Sequence, residues 1–261
     1  MRKMKGVIKF NAIKLFILLG LSFCLSMMLL SCTASYKDTQ ELIDAIEVQN
    51  IQKVTELLEN GVDPNALPGP TNRLLNSFVE YSPKIPLSVA CETGNLEIVE
   101  LLISHGATAA YREEASWSPL ASTLFYYQPN DVEIVKLLLK NGADIKQEES
   151  DWLPVFRASR MTPSVFDAQK SNGTVFSTGY DEETAKGITE IVKCLLGDYD
   201  VNDQTRTKTT LLMNAAENGN YTLVEYLLSI GADKTLKDYN DKTAYDHATE
   251  KGFTQVAELL K

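Results

Sequence analysis

Six times along the chain a valine is followed, three and four positions later, by a hydrophobic pair. The sets are Val54 with Leu57/Leu58, Val99 with Leu102/Ile103, Val135 with Leu138/Leu139, Val192 with Leu195/Leu196, Val224 with Leu227/Leu228 and Val256 with Leu259/Leu260. Positions i, i+3 and i+4 share one side of an α-helix, so each set predicts an amphipathic helix with one buried stripe. The valines lie 45, 36, 57, 32 and 32 residues apart. A base period of about 33 residues, lengthened three times by insertions, predicts stacked units rather than a single core.

Two stretches carry the period without interruption, PLSVACETGNLEIVELLISHGA from Pro86 to Ala107 and TLLMNAAENGNYTLVEYLLSIGA from Thr210 to Ala232. Pro86 stands where a helix begins, at a position whose N–H needs no intrahelical partner. The small pairs Ala90/Cys91 and Ala215/Ala216 permit close helix packing. Gly94 and Gly219, each followed by Asn, suit a left-handed cap between two helices, and Gly106, Gly142 and Gly231 suit one after the second. With the Gly-Ala close, these features resemble the ankyrin repeat. The resemblance implies an all-α repeat solenoid of about six ankyrin-type helix-turn-helix units with short hairpin turns and two larger insertions.

The remaining units depart from the pattern in definite ways. The first, 41–65, has a Gly61-Val62-Asp63-Pro64-Asn65 exit but no proline opening, as expected of an N-terminal cap. Others follow near 83–110, 116–146, 151–202, 207–235 and 240–261. The third opens with Ser118-Pro119-Leu120 and carries three extra residues around Tyr126–Asn130; the last, from Thr243, has the character of a C-terminal cap. One insertion, 66–85, places Leu74, Leu75, Phe78 and Val79 at helical spacing behind Thr71 and predicts a short helix. The other, 161–187, holds Val165-Phe166 and Val175-Phe176 around Asn172-Gly173, then Asp181-Glu182-Glu183, and predicts a hairpin or ordered loop.

Ahead of the repeats the pattern changes. Residues 1–31 contain Arg2, Lys3, Lys5, Lys9 and Lys14 with no acid, then an apolar run from Leu15 to Leu30. This is the form of an export signal, and the run is short for a spanning helix. Its end, Leu29-Leu30-Ser31-Cys32, resembles the bacterial lipobox, which implies a signal peptide over 1–31, diacylglyceryl and palmitate groups on Cys32, and a tether over 32–40. The expected location is a bacterial cell envelope, lipid-anchored. Thr33 follows the cysteine where aspartate would resemble an inner-membrane retention signal, so an outer-membrane or periplasmic-side position is expected in a Gram-negative cell.

The whole chain carries a formal charge of −10; without residues 1–31 it has 20 Lys+Arg against 35 Asp+Glu, a net charge of −15. That disfavours nucleic acid and anionic lipid surfaces as partners. Cys91 and Cys194 fall two stacking steps apart, about 20 Å, too far for a disulfide. His105 and His247 lie four units apart and cannot share a site. With no Gly-rich phosphate loop, no ligand pair at metal spacing and no nucleophile elbow, neither catalysis, a metal site nor a cofactor is expected.

Binding is the better-supported expectation. In the ankyrin family partners meet the turn tips and first helices, and the resemblance maps that surface onto Tyr111, Trp117, Phe125, Tyr126, Tyr127 and Trp152. Both tryptophans of the chain fall there, among Glu113, Glu114, Glu148, Glu149 and Asp151. Aromatic anchors ringed by acid point to a protein partner that is basic or mixed in charge, and within that class to an inhibitor or immunity protein. Two further readings stand beside it: an enzymatic or small-ligand protein with its site in 161–187, and a structural spacer.

Overall fold

The computed structural model describes residues 36–67, 84–110, 117–146, 153–162 and 180–261. They form twelve helices in six antiparallel pairs: α1 (36–47) with α2 (Ile51–Glu59), α3 (Pro86–Thr93) with α4 (Leu96–Ser104), α5 (Pro119–Thr123) with α6 (Asp131–Lys140), α7 (Pro154–Ala158) with α8 (Glu182–Leu196), α9 (Leu211–Glu217) with α10 (Tyr221–Ser229), and α11 (Ala244–Lys251) with α12 (Thr254–Leu260). The helix predicted within 66–85 and the Asn172-Gly173 hairpin lie outside the described residues, as do the Leu15–Leu30 run and Cys32. Among the described residues no helix is long and apolar enough to cross a membrane.

The first helices of successive units, α3, α5, α7, α9 and α11, pack into one row, and the second helices, α2, α4, α6, α8, α10 and α12, into another. The repeated stripe fills the space between them. Val54, Val99, Val135, Val192 and Val224, with Leu102, Leu138, Leu195 and Leu227, are all fully buried. A single helix pair has nowhere to put that stripe, so each unit depends on its neighbours, and stability is distributed along the stack.

The punctuation behaves as the residue types require. Pro86, Pro119 and Pro154 each start a first helix. Gly94 and Gly219 take positive φ of 65° and 72° between paired helices, where a Cβ would also collide with Gln128 and Phe253 respectively. Two asparagines staple neighbouring units. Asn65 Nδ2 donates to Gly106 O at 2.8 Å while its Oδ1 accepts from Thr108 N at 2.8 Å; Asn202 does the same to Gly231 O (3.2 Å) and from Asp233 N (2.7 Å). Each side chain thereby satisfies backbone groups left over at the end of the next unit.

Two expectations are corrected. The chain is already helical at residue 36, with Thr39 buried, so residues 36–40 of the expected tether form the opening turns of α1. The acidic triplet at the end of 161–187 is helix, because Asp181 is the N-cap of α8, its carboxylate accepting from Thr184 N and Oγ1 at 2.8 Å, and Glu182 and Glu183 occupy the first turn. Negative side chains are stabilised there by the helix dipole. The fourth unit ends on Gly197 at φ 49°, and Tyr199 OH donates to Ile145 O at 3.2 Å across to the third unit.

Candidate functional site

The three extra residues of the third unit shape the surface. Helix α5 is five residues long, started by Pro119 and capped by Ser118 Oγ, which accepts from Ala121 N at 3.0 Å. The chain then runs through Phe125–Asn130 before α6. Its far end is tied back to α3: Gln128 Nε2 donates to Glu92 O at 2.9 Å and Asn130 Nδ2 to Gly94 O at 3.0 Å. Just ahead of α5, Trp117 is held by its carbonyl, which accepts from Ser88 Oγ at 2.9 Å.

Held at both ends, the loop splits its aromatics. Phe125 is 38% exposed and Tyr126 53%, two of the few large hydrophobic side chains left open to solvent among the described residues. Tyr127 turns the other way. Its N–H donates to Thr162 O at 2.9 Å, its ring is buried, and a Cβ on Gly187 of α8 would lie 1.9 Å from its hydroxyl oxygen. Burial pushes its phenol up to about 12, with the nearby acids, Asp131 foremost, adding to the shift. Tyr127 is a packing residue between the third and fourth units, which corrects its expected place on the binding surface.

Trp117 and Phe125 meet edge to face, with centroids 5.4 Å apart and planes at 90°. The Arg157 guanidinium of α7 covers both, at 4.0 Å from the Phe125 centroid and 4.6 Å from that of Trp117. Such cation–π contacts stiffen rings that would otherwise be mobile at a surface. Beyond them, between α3 and the loop, lies an open cleft of about 350 Å³ walled by Trp117, Phe125 and Tyr126, with Ser122 and Gln128 below. At its edge Glu92 accepts from Lys84 Nζ at 2.6 Å and lies 3.5 Å from Ser122 Oγ. Tyr111 and Trp152 lie outside the described residues. Arg157, Glu92, Lys84 and Gln128 carried no signal in the sequence, since their position depends on contacts between units.

Ser122 has a carboxylate neighbour already engaged by Lys84, and neither histidine is near: His105 caps α4, with its Nδ1 2.9 Å from Leu101 O, and His247 pairs with Asp238 at 3.1 Å in the last unit. Among the described residues no three His, Cys, Asp or Glu side chains are grouped to hold a metal, and Cys91 and Cys194 are free. Burial raises the Cys91 thiol to about 12 and makes it inert as a nucleophile.

The sequence model for ankyrin repeats in three copies matches residues 42–149 and 184–261. The chain belongs to the ankyrin repeat family. The gap between the two matches, 150–183, overlaps most of the 161–187 insertion. This ankyrin chain is 26% identical over 210 residues to the putative ankyrin repeat protein FPV230 of fowlpox virus (strain NVSL), covering 80% of the chain and 91% of that protein. It is 24% identical over 197 residues to the nuclear factor NF-kappa-B p105 subunit of Gallus gallus, covering 75% of the chain but 16% of that protein. Among solved structures it is similar, with a TM-score of 0.57 and 23% identity over 84% of this chain and 96% of the other, to a chain of the complex between the predatory endopeptidase Bd0816 of Bdellovibrio bacteriovorus and immunity protein Bd3460. That likeness shows the fold.

Proposed function

We propose that this ankyrin repeat protein is a non-catalytic protein-binding module of a bacterial cell envelope, anchored through lipid on Cys32, with its docking surface at the Trp117, Phe125 and Tyr126 cleft. The observation that carries the binding part is the cleft itself. Its three aromatics flank the short helix α5, with Arg157 over the rings of Trp117 and Phe125 and half of Tyr126 left open to solvent. Ankyrin proteins are as a rule interaction modules, and rigid aromatic anchors supply contact area at low conformational cost. Tyr111 and Trp152 belong to the proposed binding residues on the strength of their place in the sequence alone. The lipid-anchor part rests on Leu29-Leu30-Ser31-Cys32 and the basic, then apolar, segment before it.

Within this reading the chain acts as an inhibitor or immunity protein that covers an exported enzyme. The similarity to a structure of an endopeptidase with its immunity protein supports that role. The acidic body favours a partner that is basic or mixed in charge and disfavours nucleic acid.

Crosslinking in intact cells, recovery through a C-terminal tag and identification of the bound protein test the proposal. One dominant partner from wild type, lost from a Trp117→Ala/Tyr126→Ala variant that keeps its helical spectrum, is the expected result. Equal recovery from both would remove the cleft from the function. The anchor is tested by metabolic labelling with palmitate, which is expected to mark wild type and to leave Cys32→Ser unmarked.

A further inference from the structure

The cleft also specifies what kind of group it receives. We infer that it takes a basic side chain, lysine or arginine, presented by the partner, placed against the aromatic walls and paired with Glu92 in exchange for Lys84. This rests on the cleft's being the docking surface. Several observations on this chain carry it.

First, the walls are electron-rich rings at right angles, Trp117 and Phe125, with Tyr126 beside them and a carboxylate at the edge. Ring faces attract cations, and a neighbouring carboxylate adds direction to that attraction. The protein uses the same preference internally, since Arg157 stacks on these two rings from the side of the fourth unit.

Second, Glu92 is positioned by α3, with its carboxylate near Ser122, and its cationic partner is an exposed lysine on the strand of chain leading into that helix. An exposed pair of this kind contributes little and exchanges readily. Lys84 therefore holds the place of an incoming cation without blocking it.

Third, among the described residues Glu92 is the one carboxylate and Lys84 the one ammonium in the cleft's lining. Once Lys84 swings away, an incoming cation finds a carboxylate to pair with, and an acidic side chain finds a like charge. The volume, about 350 Å³, accommodates one long side chain and part of the backbone that bears it.

The test uses three peptides, Ac-Gly-Gly-Xaa-Gly-Gly-NH2 with arginine, norleucine or glutamate at the centre, titrated against the full chain in detergent and read from the Trp117 indole resonance. The arginine peptide is expected to bind about tenfold more tightly than norleucine, with glutamate weakest. The preference is expected to shrink in Glu92→Gln, where only the rings remain, and to grow in Lys84→Met, where the resident cation is gone. Equal binding of arginine and norleucine, or a preference undiminished in Glu92→Gln, would overturn the inference.

Partner capture in cells separates this inference from the reading beneath it. Loss of partner in both Tyr126→Ala and Glu92→Gln supports the basic-side-chain inference. Loss in Tyr126→Ala with retention in Glu92→Gln overturns it and leaves the docking surface standing. Retention in both overturns the two together.

Discussion

Replacing Gly187 by alanine puts the packing between the third and fourth units to a direct test. In an exposed helix this change stabilises by about 1 kcal/mol, because alanine has the higher helix propensity. Here the added Cβ would fall 1.9, 2.3 and 2.5 Å from the hydroxyl oxygen, Cζ and Cε2 of Tyr127. Those atoms belong to one rigid ring, buried and fastened by its own N–H to Thr162 O, so no small rotation clears the contact. Overpacking of this kind costs about 1–3 kcal/mol when neighbours shift, and expelling a buried ring costs about 3–5 kcal/mol. Set against the propensity gain, a net loss of about 2 kcal/mol is expected. The same substitution made on a Tyr127→Ala background meets no ring and is expected to stabilise by about 1 kcal/mol. Urea unfolding followed by far-UV circular dichroism measures all four proteins, and hydrogen exchange in α8 localises the change. Stabilisation by Gly187→Ala in the otherwise native chain would refute the reasoning, as would additivity of the two substitutions.

Other outcomes follow from the same structure. Leu138→Ala or Leu227→Ala, each emptying a fully buried site, should cost about 2–5 kcal/mol, with exchange protection lost in the neighbouring unit as well. Asn202→Ala removes both hydrogen bonds to the fifth unit and should destabilise by about 1 kcal/mol, read as faster exchange of the Asp233 amide. Burial raises the Asp131 carboxyl to about 8 against the opposing Gln128 N–H, and its Oδ1 has no hydrogen-bond partner among the described residues. An unfolded chain ionises this group near pH 4, as an aspartate of about 3.9 does. Between about pH 4 and 8 the folded chain therefore holds a proton the unfolded chain has lost, and stability falls as pH rises. Asp131→Asn keeps an acceptor for Gln128 N and should flatten that fall in a pH series of urea midpoints; an unchanged slope would show that Asp131 is not its source.

The repeat was legible in the sequence because its signal is local and recurs. A valine and a hydrophobic pair at helical spacing, a proline at a helix start and a glycine at a left-handed cap each act within a few residues of themselves. Pro86, Gly94 and Gly219 accordingly stand where their chemistry predicted. Asp181-Glu182-Glu183 shows the limit of reading composition, since three acids resemble a solvated loop until Thr184 and the helix behind it make the first of them a cap. The aromatic cluster divides in the same way. Its concentration in the third unit was visible in the chain, but Phe125, Tyr126 and Tyr127 are adjacent, and no local rule says which of the three turns inward. Gly187 decides that, by leaving a notch in α8 that fits one ring, and Arg157 decides which rings stay rigid at the surface. Sequence by itself determined the helices, their caps and the existence of a stack, which depend on periodicity and backbone preference. Only the tertiary structure decided the cleft, because its walls, its carboxylate and its covering cation come from three different units and meet through packing alone.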